Sequence, residues 1–258
     1  MISTLNQIVS NLQQQQDEQS DKFKKALNEL IPELNKGIDQ LAEESNHAQY
    51  FDEKNFDRDN MESLLRDLDS KVEMFKQYDE TSQRYNDWQN KLSVPTTNFE
   101  NLDELRTQLL NRHLMWHSLK EWDDMTEEWK ATLFAKIDAP NVATQAAKYA
   151  KICKRLEGAI DPNPIQNKLR LLVEQFEAAM PIVTALRNPD LLEMHWNDIR
   201  EMIGHNLDVN EEGFTLQSLL DLNVVQYMDD IVAKSVEASG QAKLRAQLNE
   251  LKDQWATI

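Results

Sequence analysis

Apolar residues recur every three or four positions along most of this chain, and that spacing limits what it can fold into. The clearest stripe consists of Leu27, Leu30, Leu34, Ile38 and Leu41, which share one face of an α-helix. Only 5 glycines and 7 prolines occur in 258 residues, so breaks between helices are few. Because such stripes must be buried by neighbouring helices, the sequence predicts an all-α fold, an elongated stack of antiparallel helical bundles.

The first 100 residues are predicted to form a helical segment with two long helices. A weaker stripe precedes the clear one and consists of Leu5, Ile8 and Leu12. Pro32 removes a helical hydrogen bond, so it predicts a kink or a new helix start near Ile31. Residues 46–59 have no periodicity and are typical of a loop. The second long stripe follows at 61–92 and ends before Pro95.

Residues 101–258 are predicted to form a second helical region, beginning with a helix from residue 102 to about 134. Asn141 is a candidate N-cap for the next helix, which ends before the turn at 161–164. The stripe after that turn returns, so the pair predicts an antiparallel hairpin of roughly 20 residues a side. Further helices are expected at 190–203, after a Thr215 cap, and at 224–255.

Charge and composition argue against several classes of partner. Lys and Arg total 28 against 45 Asp and Glu, a formal charge of -17, which repels a phosphate backbone or an anionic membrane surface. No apolar run approaches the length of a membrane span, and residues 1–15 do not look like a signal peptide. The one cysteine, Cys153, occupies a stripe position, which favours an apolar structural role in a reducing compartment. We expect a cytoplasmic or cytoskeletal protein that binds neither nucleic acid nor membrane.

Motifs for catalysis are weak. A phosphate-binding loop needs clustered glycines, but the closest pair is Gly204 and Gly213, too far apart to form one. The acidic run at 121–128 is interpreted as a solvated helix face and not as a cation site. We therefore expect no catalytic residue and no cofactor in this segment.

Two histidines have a spacing that can hold a metal ion. His113 and His117 are one helical turn apart, with Glu121 one turn further. The zinc-protease motif requires glutamate directly after the first histidine, where this chain has Leu114. The favoured interpretation is an ordinary, partly exposed helix face without metal.

Tryptophans are concentrated in one helical region, which contains Trp116, Trp122 and Trp129. Aromatic residues at such spacings are typical of wedges between packed helices, in preference to a ligand box or an exposed docking strip. Two of the three are expected to face inward. Trp196 lies in the short helix between Pro189 and Gly204 and is likewise expected to be a structural wedge.

The order of motifs from about residue 105 onward resembles the linker-associated region of dynein heavy chains. The motifs are, in order, Leu114-Met115-Trp116, Glu121-Trp122, Trp129, Phe134, Ile137-Asp138, Met180-Pro181-Ile182-Val183, Leu186-Arg187-Asn188-Pro189-Asp190-Leu191, His195-Trp196, Phe214-Thr215-Leu216, Leu219-Leu220-Asp221-Leu222 and Trp255. Met194 departs from the pattern, since the family usually has arginine before His-Trp; the departure concerns one polar contact. Residues 1–100 resemble only a helical stem in general.

The resemblance implies a function. Dynein heavy chains are ATP-driven, minus-end-directed microtubule motors, and their ATPase ring, with its ATP and Mg, would lie C-terminal to Ile258. This segment would be a non-catalytic mechanical part that connects the stem, used for anchoring and subunit assembly, to the linker. Implied partners are other dynein heavy chains, intermediate and light chains, and the rest of the same heavy chain, while microtubules would be contacted only by other regions. Arg187-Asn188-Pro189 is more similar to axonemal members, which implies the ciliary axoneme.

Two other classes of function stay open at this point. A spectrin-like or tethering helical adaptor would bind partner proteins through its acidic surface, and a metal-dependent helical enzyme would depend on His113 and His117 alone. The sequence after Ile258 distinguishes motor from adaptor, because a motor continues into phosphate-binding loops. Metal analysis of the purified chain tests the enzyme.

Overall fold

The computed structural model describes residues 2–205, 207–209 and 211–256, with side chains in the first helix described from residue 7 onward. Helices dominate these residues, as predicted. They are α1 (Ile2–Ser45), α2 (Arg58–Lys91), α3 (Glu100–Ala131), α4 (Ala139–Glu157), α5 (Pro164–Leu186), α6 (Glu193–Ile203), α7 (Leu216–Asp221) and α8 (Met228–Ala256). No described helix is long and apolar enough to cross a membrane.

The chain forms two compact units. The first comprises residues 1–117 and 159–165, and the second comprises residues 118–158 and 166–258. Each unit has its own buried apolar residues. The division of the sequence at residue 100, drawn from the family resemblance, stays a prediction about domain organisation.

In the first unit, α1 and α3 run in the same direction. The side chain of Asn101 donates a hydrogen bond to Asp39 Oδ1 at 2.7 Å. Further along both helices, the guanidinium of Arg112 donates to the carbonyl oxygen of Ser45. Because the residue numbers of the partners rise together, α1 and α3 are parallel.

The helix α2 runs opposite to α3. Near the start of α3, Arg106 forms an ion pair with Asp79. Further along α3, His113 Nε2 lies 2.7 Å from Oδ1 of Asp69. The partners on α2 therefore have falling residue numbers as those on α3 rise, so the two helices are antiparallel. The first unit is thus an up-down-up three-helix bundle.

The apolar stripe on α1 is buried where the bundle covers it. Leu27, Leu34, Ile38 and Leu41 are buried, as the spacing predicts. Leu30 is 37% exposed, so it lies at the margin of the stripe. The earlier residues Ile8 and Leu12 are exposed, and the side chain of Leu5 lies outside the described residues.

Two details of this unit could not be taken from the sequence. The helix α1 continues through Pro32, so the proline does not mark a new helix start, and a kink at this position stays a prediction. The expected loop at 46–59 contains two short 3₁₀ turns, Ala48–Phe51 and Glu53–Phe56. Burial of Tyr50 anchors the first of them.

The second unit contains the predicted hairpin. Its arms are α4, with 19 residues, and α5, with 23, which confirms the expected length. The N-cap of α4 is Asp138 and not Asn141, since Asp138 Oδ1 accepts the backbone N–H of Asn141 at 3.1 Å. Pro140 explains the difference, because proline is suited to the first turn of a helix and the cap must precede it.

Long-range pairing shortens α3. The helix was expected to reach about residue 134 but ends at Ala131. The backbone N–H of Phe134 donates to Phe214 O at 2.9 Å, and the N–H of Leu216 donates to Thr132 O at 3.2 Å. These bonds flank an isolated antiparallel bridge between Leu133 and Thr215, which takes these residues out of the helix.

Two later helices also begin after their predicted start. The α6 helix begins at Glu193 and not at residue 190, because Asn188 Oδ1 accepts the N–H of Asp190 and holds a turn there. The α8 helix begins at Met228, after a 3₁₀ turn at Val224–Tyr227. Thr215 caps α7 as predicted, with its hydroxyl accepting the N–H of Ser218 at 3.2 Å.

Substituting two glycines of the second unit by alanine should have opposite effects. Gly240 lies in the middle of α8, and a Cβ added there would meet no other atom within 4 Å, so Gly240→Ala should raise the free energy of unfolding by about 1 kcal/mol. Gly204 ends α6 with a φ of 73°, so Gly204→Ala should lower it by about 1 kcal/mol. Urea unfolding followed by circular dichroism measures both. Shifts in the same direction would contradict this account of the two helices.

Candidate functional site

Trp122 is the centre of an aromatic cluster in the second unit. It is 1% exposed, and its ring centroid lies 5.2 Å from Tyr149 of α4 and 5.6 Å from Phe176 of α5. Trp129, seven residues further along α3, packs edge-on against Trp122 at 6.0 Å. The cluster therefore joins α3 to both arms of the hairpin, in the arrangement that aromatic quadrupoles favour.

The Tyr149 hydroxyl forms a hydrogen bond with a carboxylate beside this cluster. It donates to Glu121 Oε2 at 2.6 Å. Burial, followed by this hydrogen bond, raises the pKa of Tyr149 well above its ordinary value, so the phenol stays a neutral donor. Glu121 is thus engaged with Tyr149 and is not the third member of a metal site with the two histidines.

Trp116 plays the equivalent part in the first unit. It is fully buried, and its indole N–H donates to the carbonyl oxygen of Tyr50 at 3.1 Å. The ring of Phe56 lies 6.3 Å away. Since Trp116 and Trp122 are buried and Trp129 is partly exposed, the expectation that two of three tryptophans face inward is confirmed.

Arg112 is a buried residue whose guanidinium forms hydrogen bonds at the C-terminal end of α1. Its guanidinium donates to Ser45 O and, at 2.9 Å, to Asn46 Oδ1, and it lies over the ring of Phe51 at 4.9 Å. These bonds satisfy carbonyl and amide oxygens that a helix C-terminus leaves without partners. Burial lowers the pKa of Arg112. The sequence offers no signal that distinguishes this arginine from those on the surface.

Asn188 ties the end of α5 to α8. Its amide nitrogen lies 2.9 Å from each of three acceptors, the carbonyl oxygen and the hydroxyl of Ser235 and the hydroxyl of Ser239. Its flanking residues Arg187 and Pro189 are exposed. Within the Arg-Asn-Pro motif the asparagine therefore makes the contact between helices.

His195 is the buried anchor of α6. Its Nδ1 accepts the backbone N–H of Leu192 at 3.0 Å, which places the proton of the neutral ring on Nε2, 3.3 Å from Gln241 Oε1 of α8. Trp196 is only partly buried, and its role as a structural wedge stays a prediction. The neighbouring His195 is fully buried. Met194 is exposed.

The motif residues that carry the family resemblance are called signature residues here, and the remaining ones lie at a helix start or on the surface. Phe214 packs edge-on against Phe134 at 6.0 Å, and Leu216 is fully buried. Pro181 is exposed, and Trp255 is 79% exposed near the end of α8. The signature thus combines buried packing residues, one polar tie and exposed positions.

An apolar groove of about 810 Å³ lies on the second unit. Signature residues Pro181, Asn188 and Pro189 line it, together with Val232 and Val236 of α8. Its charged lining residues are Glu177 and Arg187, one of each sign. This lining suits packing and provides no set of groups for acid, base or nucleophilic chemistry.

Cys153 is a structural residue, as the sequence indicated. It is buried on α4. Burial raises the pKa of the thiol to about 11, with smaller contributions from nearby carboxylates. The thiol is therefore protonated at neutral pH and is a poor nucleophile.

One cluster in the first unit has the composition of a metal site. Within the described part of the chain, the group of potential ligands consists of Asp69, His113 and His117. Partial burial raises the pKa of Asp69, but hydrogen bonds from the two histidines outweigh it and leave the pKa lowered. Sequence spacing identified the histidines and missed Asp69, which is on another helix.

Replacing the buried signature tryptophan should be far more costly than replacing the exposed one. Trp122→Ala should lower the free energy of unfolding by about 3–5 kcal/mol, because it empties the aromatic cluster. Trp255→Ala is the control and should change it by less than about 0.5 kcal/mol. Denaturant unfolding of both variants measures the difference. Equal losses would mean that the cluster does not hold the hairpin.

Known proteins resemble this chain over most of its length. The family model described as "Dynein heavy chain, N-terminal region 2" matches residues 102–258. Dynein axonemal heavy chain 6 of Homo sapiens is 32% identical over 198 residues, 77% of this chain and 4% of the relative. The dynein gamma chain of the flagellar outer arm of Chlamydomonas reinhardtii is 28% identical over 192 residues, 72% of this chain and 4% of the relative.

A third relative extends the similarity toward the N-terminus. The dynein-1-beta heavy chain of the flagellar inner arm I1 complex of Chlamydomonas reinhardtii is 24% identical over 243 residues, 92% of this chain and 5% of the relative. That alignment is longer than 102–258, so it reaches into the first 100 residues, for which the sequence alone suggested only a general helical stem. The chain spans about 4% of the length of the first of these relatives. Because the family model covers more than half of the chain, this chain belongs to the dynein heavy chain family.

Proposed function

We propose that this chain is a non-catalytic mechanical segment that connects the stem of a dynein heavy chain to the linker of an ATP-driven, minus-end-directed microtubule motor. The observation that carries the proposal is the position of Trp122, whose ring contacts residues of both hairpin arms. Asn188 and His195 make further contacts to α8. The signature residues with buried or bonded side chains hold helices together and form no reaction centre.

Such packing suits the transmission of force. Protein interiors are as dense as organic crystals and resist compression. A load applied to one arm of the hairpin would reach α3 through the Trp122 cluster and α8 through Asn188. Both routes use side chains buried or hydrogen-bonded within the second unit.

The proposal assigns the remaining functions of the motor to other parts of the heavy chain. ATP and Mg would act in its ATPase ring, and this segment would bind neither of them. Partners would be the rest of the same heavy chain, other dynein heavy chains, and intermediate and light chains. The names of the relatives, axonemal and flagellar, support a location in the ciliary axoneme.

We expect the 258-residue chain to bind no ATP·Mg. Its nearest glycines, Gly204 and Gly213, lie in the turns after α6 and before α7, and they do not form a phosphate-binding loop before a long helix. Isothermal titration calorimetry with ATP·Mg at micromolar protein measures this directly. Saturable heat of binding would refute the assignment of nucleotide chemistry to other parts of the motor.

In a motor that contains this segment, loosening it should uncouple movement from ATP hydrolysis. Asn188→Ala removes the bonds to Ser235 and Ser239, which should cost about 1–3 kcal/mol. Microtubule gliding velocity should therefore fall by a larger factor than microtubule-stimulated ATPase activity. Arg187→Ala, an exposed neighbour in the same motif, is the matched control and should leave both unchanged.

Two results would contradict the mechanical role. If gliding and ATPase activity fall by the same factor in Asn188→Ala, the segment affects the chemical cycle and not its transmission. If both are unchanged although the variant unfolds more easily, the contact between α5 and α8 bears no load.

A further inference from the structure

We propose that Asp69, His113 and His117 bind a divalent transition-metal ion, with zinc as the ion of best fit, and that the bound ion ties α2 to α3. This inference concerns the first unit and is independent of the mechanical role proposed above. It depends on the positions of three side chains from two helices.

The three side chains converge on one point. His113 and His117 are one turn apart on α3, with ring centroids 4.1 Å from each other. Their Nε2 atoms lie 2.7 Å and 2.9 Å from the same atom, Asp69 Oδ1. All three potential ligand atoms lie within 4.8 Å of one another. A single ion placed among them would lie within reach of all three side chains.

The donor set selects the class of ion. Two imidazole nitrogens and one carboxylate oxygen are the ligands of many zinc sites and suit other first-row transition metals. Magnesium and calcium prefer sites made of oxygen alone. Three protein ligands leave the fourth position of a tetrahedral ion for water.

The cluster has room to accept the ion. Ligand atoms around tetrahedral zinc are about 3.3 Å apart, given metal–ligand distances of about 2.0–2.1 Å. The present N···O distances are shorter, as hydrogen bonds require, so the carboxylate must move outward by about 0.5 Å. The Asp69 side chain is 53% exposed, and both histidines are partly exposed, so this movement and the entry of an ion are unobstructed.

Binding would change the tautomer of both histidines. In the structure, Asp69 Oδ1 is hydrogen-bonded to both rings. The ion would take the place of the proton on each Nε2, and each neutral ring would then carry its single proton on Nδ1. The Asp69 carboxylate keeps its negative charge against the ion. Because the ligands come from antiparallel helices, an occupied site would resist separation of α2 from α3.

The test uses the 258-residue chain. Calorimetry measures its affinity for zinc, and thermal unfolding measures its melting temperature with and without zinc. We expect one equivalent of zinc to bind and to raise the melting temperature, because an ion that binds only the folded state stabilises it. Asp69→Asn and His117→Gln should each weaken binding more than ~10-fold, since changes even to groups behind a metal ligand cost 10–100-fold. His205→Gln, which alters an exposed histidine of the second unit, is the matched control and should bind as the parent does.

Circular dichroism of the metal-free variants checks that each is folded. A second readout is cobalt substitution, which should give visible absorption of a tetrahedral ion in the parent and in His205→Gln but not in His117→Gln. Magnesium should leave the melting temperature unchanged.

Three results would overturn the proposal. A dissociation constant weaker than ~1 mM would mean that the cluster is only hydrogen-bonded. Full affinity in His117→Gln would place zinc elsewhere on the acidic surface. Full affinity and full thermal stabilisation in Asp69→Asn would mean that the ion binds the α3 histidines alone and does not link the two helices.

Discussion

Burial of narrow apolar stripes on long helices is the constraint on which the rest of this structure depends. A stripe of this kind cannot be shielded by its own helix, so each helix needs neighbours of matching length. In the first unit, α1 buries Leu34, Ile38 and Leu41 in an up-down-up bundle. In the second, α3 buries Trp122 against the hairpin. The last part of α8 differs, because Leu244, Leu248, Leu251 and Trp255 are each more than half exposed.

Local features of this fold could be predicted from the sequence, and features set by distant contacts could not. Apolar spacing and proline positions predicted the α4–α5 hairpin, and Thr215, as a capping residue, predicted the start of α7. The end of α3 at Ala131 was missed because it depends on bonds from residues 132–134 to residues 214–216. The buried Arg112 was missed for the same reason, since its partners Ser45 and Asn46 are more than sixty positions away.

The candidate sites show the same limit. The spacing of His113 and His117 indicated that they share a helix face, but Asp69 is 44 positions away along the chain and joins them only through the fold. Glu121, which fits the spacing, is bound by Tyr149 instead. Trp196 was predicted to be the wedge of α6, and it is only partly buried. The fully buried neighbour is His195, whose two ring nitrogens both find partners.

The central claim is that the packed helices carry load, and stretching a single molecule tests it most directly. With handles attached near the two ends of the described chain, a mechanical segment should keep nearly constant length as force rises and then lengthen in discrete, cooperative steps as whole units unfold. Trp122 should then be a determinant of the force at which the second unit yields. Gradual lengthening from the lowest forces, without discrete steps, would show that the helices separate one by one and would contradict a mechanical role for this segment.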